Sequence, residues 1–93
     1  METGKQVVVS TKHRGVFYGT LAERKPGEVT LTNARMCVYW CVRTKGFVGL
    51  ASKGPQSGCR ITDSAPSIEV VDVTAVIECS EDAVKAWEAA PWG

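Results

Sequence analysis

Residues 16–42 read VFYGTLAERKPGEVTLTNARMCVYWCV, and this stretch decides the fold. Apolar and polar residues alternate on both sides of Pro26 and Gly27, where proline fixes φ and glycine tolerates a positive φ. The pattern predicts two strands, the second unusually long, joined by a sharp reversal. Such a hairpin cannot bury its own apolar face, so it predicts a small sheet curled around one core.

The rest of the chain predicts further strands and a single helix. Strand patterns occur at 6–10, 59–62 and 67–79, the last with a bend or two apolar faces, and a short apolar piece lies at 47–51. Ser80 is a good N-cap for a helix at about 81–89, and Trp87 is expected to dock that helix onto the sheet. The fold class is therefore mainly β: a small curled antiparallel sheet or SH3-like barrel of five to six strands with one C-terminal helix.

The bulk composition describes one small domain, residues 1–93, with strands within 6–79. Its 93 residues are 44% hydrophobic and carry a formal net charge of +1. Such a domain has a thin core, which favours a homo-oligomer. The near-neutral charge argues against nucleic acid, and no apolar run is long enough for a membrane span. The N-terminal residues do not form a secretory signal, so the expected location is the cytoplasm.

The four cysteines and the single histidine predict neither a metal site nor a cofactor. Cys37 and Cys41 lie four apart on a predicted strand, about 13 Å at strand rise, which is too far for a disulfide without a bulge. Zinc sites prefer closer cysteine pairs or several histidines. We expect reduced thiols at these two positions and at Cys59 and Cys79.

Residue sets that would carry out catalysis are missing from the sequence. His13 is the only histidine and lies in a turn, and the adjacent acids Glu81 and Asp82 are explained by the start of a helix. The glycine-rich run at 54–58 lacks the residues of a phosphate loop. We therefore expect a protein that is not an enzyme.

Basic and aromatic residues instead predict a binding site. Arginine and lysine fall at turns and strand starts, and Tyr18 and Tyr39 are expected on the less buried surface of the strands between them. Guanidinium groups bind phosphate and flat rings stack on bases, so these residues suit a small anionic, nucleotide-type ligand. The candidate ligand-binding residues are His13, Arg14, Tyr18, Arg35, Tyr39, Trp40, Lys53 and Arg60.

Two resemblances add to this interpretation. Residues 16–35 resemble the first motif of the Sm-like small barrels, in which Gly19, Leu21, Val29, Leu31 and Asn33 occupy the motif positions. As a whole, the chain resembles a family of small proteins of tailed bacteriophages and prophages. The similar pieces are residues 13–19, 33–40, the Gly54-Pro55 loop and residues 83–92.

The resemblance implies a phage-encoded accessory protein in a bacterial host cytoplasm. The leading hypothesis is a self-associating, non-enzymatic protein that captures a small anionic nucleotide-type ligand and so counters host defence signalling. The first alternative is a protein–protein interaction module that inhibits a host protein or serves the virion, through an exposed edge strand or Trp92. The second alternative is an RNA- or DNA-binding small barrel.

Overall fold

The computed structural model describes residues 3–12, 15–39, 46–56 and 59–90. The prediction of a mainly β fold is confirmed: six antiparallel strands form a sheet that is not closed, accompanied by a C-terminal helix and one short helix. The elements are β1 (Gln6–Thr11), β2 (Val16–Lys25), β3 (Glu28–Tyr39), α1 (Gly46–Ser52), β4 (Arg60–Ile61), β5 (Ala65–Val70), β6 (Val73–Glu78) and α2 (Glu81–Ala89).

The sheet grows outward from the predicted hairpin. Strands β2 and β3 pair across the turn at Pro26 and Gly27, where Gly27 has φ of 74° as the turn requires. The strand order is β4-β3-β2-β1-β6. Strand β5 also pairs with β3, along residues 29–34, whereas β4 pairs with β3 at residues 37–39. Because β5 and β6 follow one another in sequence but pair at opposite ends of the order, the sheet must curl.

Both faces of the sheet are covered, as β1 shows directly. Its residues Val7, Val8 and Val9 are all fully buried, although successive side chains in a strand point to opposite faces. Val8 packs in a cluster with the two helices, and Val7 and Val9 pack in a second cluster enclosed by the curl. The helix-side cluster is Val8, Val16, Tyr18, Cys37, Leu50, Ala51, Ile61, Ala83 and Trp87. The enclosed cluster is Val7, Val9, Leu21, Val29, Leu31, Ala34 and Val70.

Helix α2 forms as its sequence predicts. The Ser80 Oγ accepts a hydrogen bond from the Ala83 amide at 3.1 Å, which confirms the N-cap. The Trp87 side chain is fully buried, and its Nε1 donates to the carbonyl of Leu50 at 2.9 Å, so the helix is fastened to α1 as well as to the sheet.

The structure corrects the expected exposure of Tyr18 and the expected number of helices, and it confirms the expected bend. Tyr18 is 1% exposed and belongs to the core, because the register turns it toward the helices rather than toward solvent. The bend expected within 67–79 is a break into β5 and β6 at Val71 and Asp72, with Asp72 at φ of 54°. The apolar piece at 47–51 lies within helix α1, so the described structure has a second helix beside the one predicted at the C-terminal end. The expectations for Trp40 and Trp92 lie outside the described residues.

Candidate functional site

The eight predicted ligand-binding residues are not shown to converge on one place. His13, Arg14 and Trp40, together with the Tyr39 side chain, lie outside the described part of the structure. Tyr18 and Arg35 are register partners on β2 and β3, and Tyr39 and Arg60 are partners on β3 and β4. Lys53, after α1, and Arg60 are exposed. Within the described residues, the structure thus brings together two neighbouring pairs from the set.

Arg35 fastens the C-terminal end of α2. Its side chain is 8% exposed. The guanidinium donates from Nη1 to the carbonyl of Trp87 at 2.5 Å and from Nη2 to the carbonyl of Ala90 at 2.6 Å. Its Nε donates to the carbonyl of Thr62 at 2.7 Å. The last carbonyls of a helix lack partners within the helix and carry its negative dipole end, so a cation satisfies them well. Arg35 therefore has a structural role that accounts for its burial.

Tyr18 lies beside this arginine and stacks on Trp87. The two rings are 4.9 Å apart between centroids and within 6° of parallel, which leaves at most one face of Tyr18 for any other ring. Its buried hydroxyl has no partner at hydrogen-bonding geometry among the described residues. Burial raises the pKa of this hydroxyl, and the nearby Glu88 carboxylate raises the pKa further. This placement does not favour the predicted stacking of Tyr18 on a ligand.

A polar cleft opens at the end of α2, next to Arg35. Its volume is about 310 Å³. The lining residues are Asn33, Arg35, Asp63, Ser64, Glu88 and Ala90. Two carboxylates face one guanidinium that already binds three carbonyls. The cleft is therefore unfavourable for an anion, because its free charges are negative.

A second, larger depression is formed by β1, by the strands β2 and β6 that flank it, and by the start of α1. We call it the apolar groove; its volume is about 590 Å³, and its lining is Ser10, Thr11, Gly15, Val16, Phe47, Thr74 and Ala75. Three hydroxyls lie among the apolar groups. The Ser10 and Thr74 hydroxyls bond each other at 2.9 Å, and the Thr11 Oγ1 accepts from the Gly15 amide at 3.0 Å. A largely apolar concavity with a few placed polar groups is the usual form of a small-molecule site.

Sequence reasoning missed most residues of this groove. Phe47 was read only as part of a short apolar piece, and Thr74 only as a strand residue. The basic turn at 11–15 was the sequence feature that pointed toward the groove. Thr11 and Gly15 line the groove, and the candidate ligand-binding residues His13 and Arg14 lie between them in sequence. Lys12, also in that turn, is exposed.

The cysteines and acids show no metal site within the described ranges: no group of three or more metal-ligating side chains occurs there. Cys59 and Cys79 are half-buried thiols. Burial, followed by the Glu78 carboxylate, raises the pKa of Cys79 to about 12, so this thiol is protonated at neutral pH and is a poor nucleophile. None of the helices in the described residues is long and apolar enough to cross a membrane.

Together these features define a small mainly β domain: an open, curled antiparallel sheet with a C-terminal helix fastened by a buried arginine and an apolar groove at its side. The chain belongs to the family defined by the domain of unknown function DUF6948, whose model matches residues 4–87. No curated protein matches the chain significantly.

Proposed function

We propose that this protein is a non-enzymatic binding module that captures a small nucleotide-type ligand in the apolar groove. The observation that carries the proposal is the groove itself: about 590 Å³ of largely apolar space with three hydroxyls at its wall. This volume lies in the range of small-molecule sites, which is roughly 300–1,000 Å³.

The groove suits a ligand that has both a flat apolar part and an anionic part. The Phe47 side chain supplies a ring against which a base can lie, and Val16 and Ala75 supply apolar contacts. Lys12 follows the groove residue Thr11 and is exposed, so it offers a positive charge to a phosphate. The polar cleft beside Arg35 is the weaker candidate, because Asp63 and Glu88 repel an anion there.

Capture without turnover fits the chemistry of the groove wall. Its hydroxyls are engaged with each other or with backbone, and none of the described groove residues is a histidine, lysine or carboxylate that would activate them. The wider role implied by the resemblance is part of the same proposal: a phage protein that removes a host defence signal in the bacterial cytoplasm.

The proposal is tested by thermal unfolding with cyclic dinucleotides, ADP-ribose and AMP as probes. A ligand at ten times its Kd stabilises the folded state by about 1.4 kcal/mol, which raises the Tm of a domain of this size by about 6–11 °C. Phe47→Ala is expected to abolish the shift, and Lys12→Ala to reduce it.

Val48→Ala is the matched control. Val48 is the neighbouring α1 residue, is exposed and does not line the groove, so its variant should keep the full shift. If all three probes at millimolar concentration leave the Tm of the wild-type protein unchanged, the proposed function is wrong. A shift that survives in Phe47→Ala would place the ligand elsewhere and equally contradict the proposal.

A further inference from the structure

Strand β6 has an outer edge whose backbone groups have no strand beside them in the described structure. It pairs with β1 only, and the Cys79 amide donates to the carbonyl of Gln6 at 2.9 Å, which makes Gln6 and Cys79 a hydrogen-bonded pair. Because such pairs alternate along an antiparallel ladder, Val8 and Ile77 form the next one. The N–H and C=O groups of the intervening Val76 and Glu78 therefore point away from β1.

The β6 edge also lacks the features that protect the other end of the sheet. Strand β5 carries Pro66, which cannot donate to a neighbouring strand, and β4 is only two residues long. The β6 sequence, VTAVIE, contains neither proline nor lysine. An edge without these devices is available for pairing with another strand.

We propose that β6 pairs antiparallel with β6 of a second copy of this chain around a twofold axis. In the proposed register, Ile77 lies opposite Ile77 of the second copy, and Val76 lies opposite Glu78 of the second copy. The outward N–H and C=O groups of Val76 and Glu78 in both copies then form four backbone hydrogen bonds. This is an isologous contact, in which one surface meets itself.

The side chains on the helix side of β6 support a second copy as the occupant. The register places Ala75 opposite Cys79 of the second copy on each side of the central Ile77 pair, so every cross-strand pair on this face is apolar. Ile77 and Cys79 are half-buried against the helix-side cluster. Glu78 meets a valine rather than a carboxylate, so the pairing places no like charges opposite each other.

The apolar surface continues from the strand onto α1. Val48 is 57% exposed and, with Ala51, Ile77 and Cys79, lines a depression of about 340 Å³ beside the edge. A second copy would shield this surface from water. Ala75 also lines the apolar groove, so Cys79 of the second copy would stand next to that groove. The dimer does not depend on the proposed ligand.

Sedimentation velocity of the protein without ligand, from about 1 µM to 1 mM, tests the dimer, and Ala75→Cys tests the register. Residues 75 and 79 of facing copies form a non-hydrogen-bonded pair about 4.5 Å apart between Cα atoms, within reach of a disulfide. Within one chain the same residues are about 13 Å apart along the strand and cannot be bridged. Equilibration in a glutathione redox buffer should therefore give a disulfide-linked dimer, joined between 75 and 79 by peptide mapping.

The double variant Ala75→Cys with Cys79→Ser is the matched control and should not link. Val76→Pro removes an outward amide only, so it should keep the β-sheet dichroism and raise the dimer dissociation constant at least about 10-fold. A wild-type protein that is monomeric at 1 mM overturns the proposal, as does a dimer in which Ala75→Cys fails to link. Ligand binding by a monomer would leave the proposed function standing while this inference fails.

Discussion

Replacing Arg35 with alanine is expected to destabilise the protein strongly, although this arginine lies on a strand and was predicted to bind ligand. The variant removes three hydrogen bonds from a charged donor to the carbonyls of Thr62, Trp87 and Ala90, of which the bond to Trp87 is fully buried. Each such bond contributes about 1.5–3 kcal/mol, and water partly replaces the less buried ones. We expect a loss of about 4 kcal/mol in the free energy of unfolding, a large part of the total for a domain of this size.

Arg35→Lys keeps the charge but cannot present a planar fork to three carbonyls, so about half of this loss is expected. The measurement is urea unfolding followed by circular dichroism, in which Arg35→Ala should lower the midpoint by about 3 M for an m-value of about 1.5 kcal/mol/M. Arg60→Ala is the control, because Arg60 is exposed, and should change stability by less than about 0.5 kcal/mol. An Arg35→Ala protein within 1 kcal/mol of wild type would refute the structural role of this side chain.

Two further predictions concern backbone conformation and a buried hydroxyl. Gly54→Ala should lower the free energy of unfolding by more than about 2 kcal/mol, because Gly54 has φ of 81° and a Cβ there would meet the Ala86 Cβ at 2.5 Å. Gly27 has φ of 74° but open space around it, so Gly27→Ala should lower it by only about 1 kcal/mol in the same urea assay. Tyr18→Phe should raise stability by about 1 kcal/mol, because the hydroxyl it removes is buried without a partner. Because burial raises the pKa of Tyr18 in the folded state, the hydroxyl ionises first in the unfolded chain as the pH rises through about 10, and this ionisation favours unfolding. The wild type should therefore lose more stability than Tyr18→Phe between pH 9 and 11. A destabilised Tyr18→Phe, or equal costs for the two glycine variants, would contradict these assignments.

The local pattern of the sequence was sufficient for the hairpin and for the C-terminal helix. Period-two alternation around Pro26 and Gly27 produced the β2–β3 pair, and the sequence from Ser80 to Trp87 produced the cap and the docking face of α2. In these segments the signal lies between residues that are near one another in sequence. The break at Asp72 was visible only as a disturbed alternation, because a residue with positive φ has no unique sequence mark.

The sites could be predicted less well, because they depend on distant partners. An arginine on a strand predicts an exposed side chain unless hydrogen-bond acceptors surround its guanidinium group. The carbonyls that accept from Arg35 lie 27, 52 and 55 residues further along the chain, so no local pattern contains them. Tyr18 was assigned to the wrong surface for a related reason: alternation defines two faces, but not which one a helix will cover. The apolar groove joins β1, β2, α1 and β6, and no single segment contains its pattern.

The attachment of α2 has a consequence for how the protein is made. Its N-cap Ser80 donates to the carbonyl of Ser52, its Trp87 side chain donates to the carbonyl of Leu50, and its last carbonyls accept from Arg35. During synthesis from the N-terminus, these partners must wait for the last element to appear, so the nascent sheet has an open core until translation of the domain is complete. A ribosome stalled before Trp87 would release a fragment that is vulnerable to cellular proteases, and quality control would remove it.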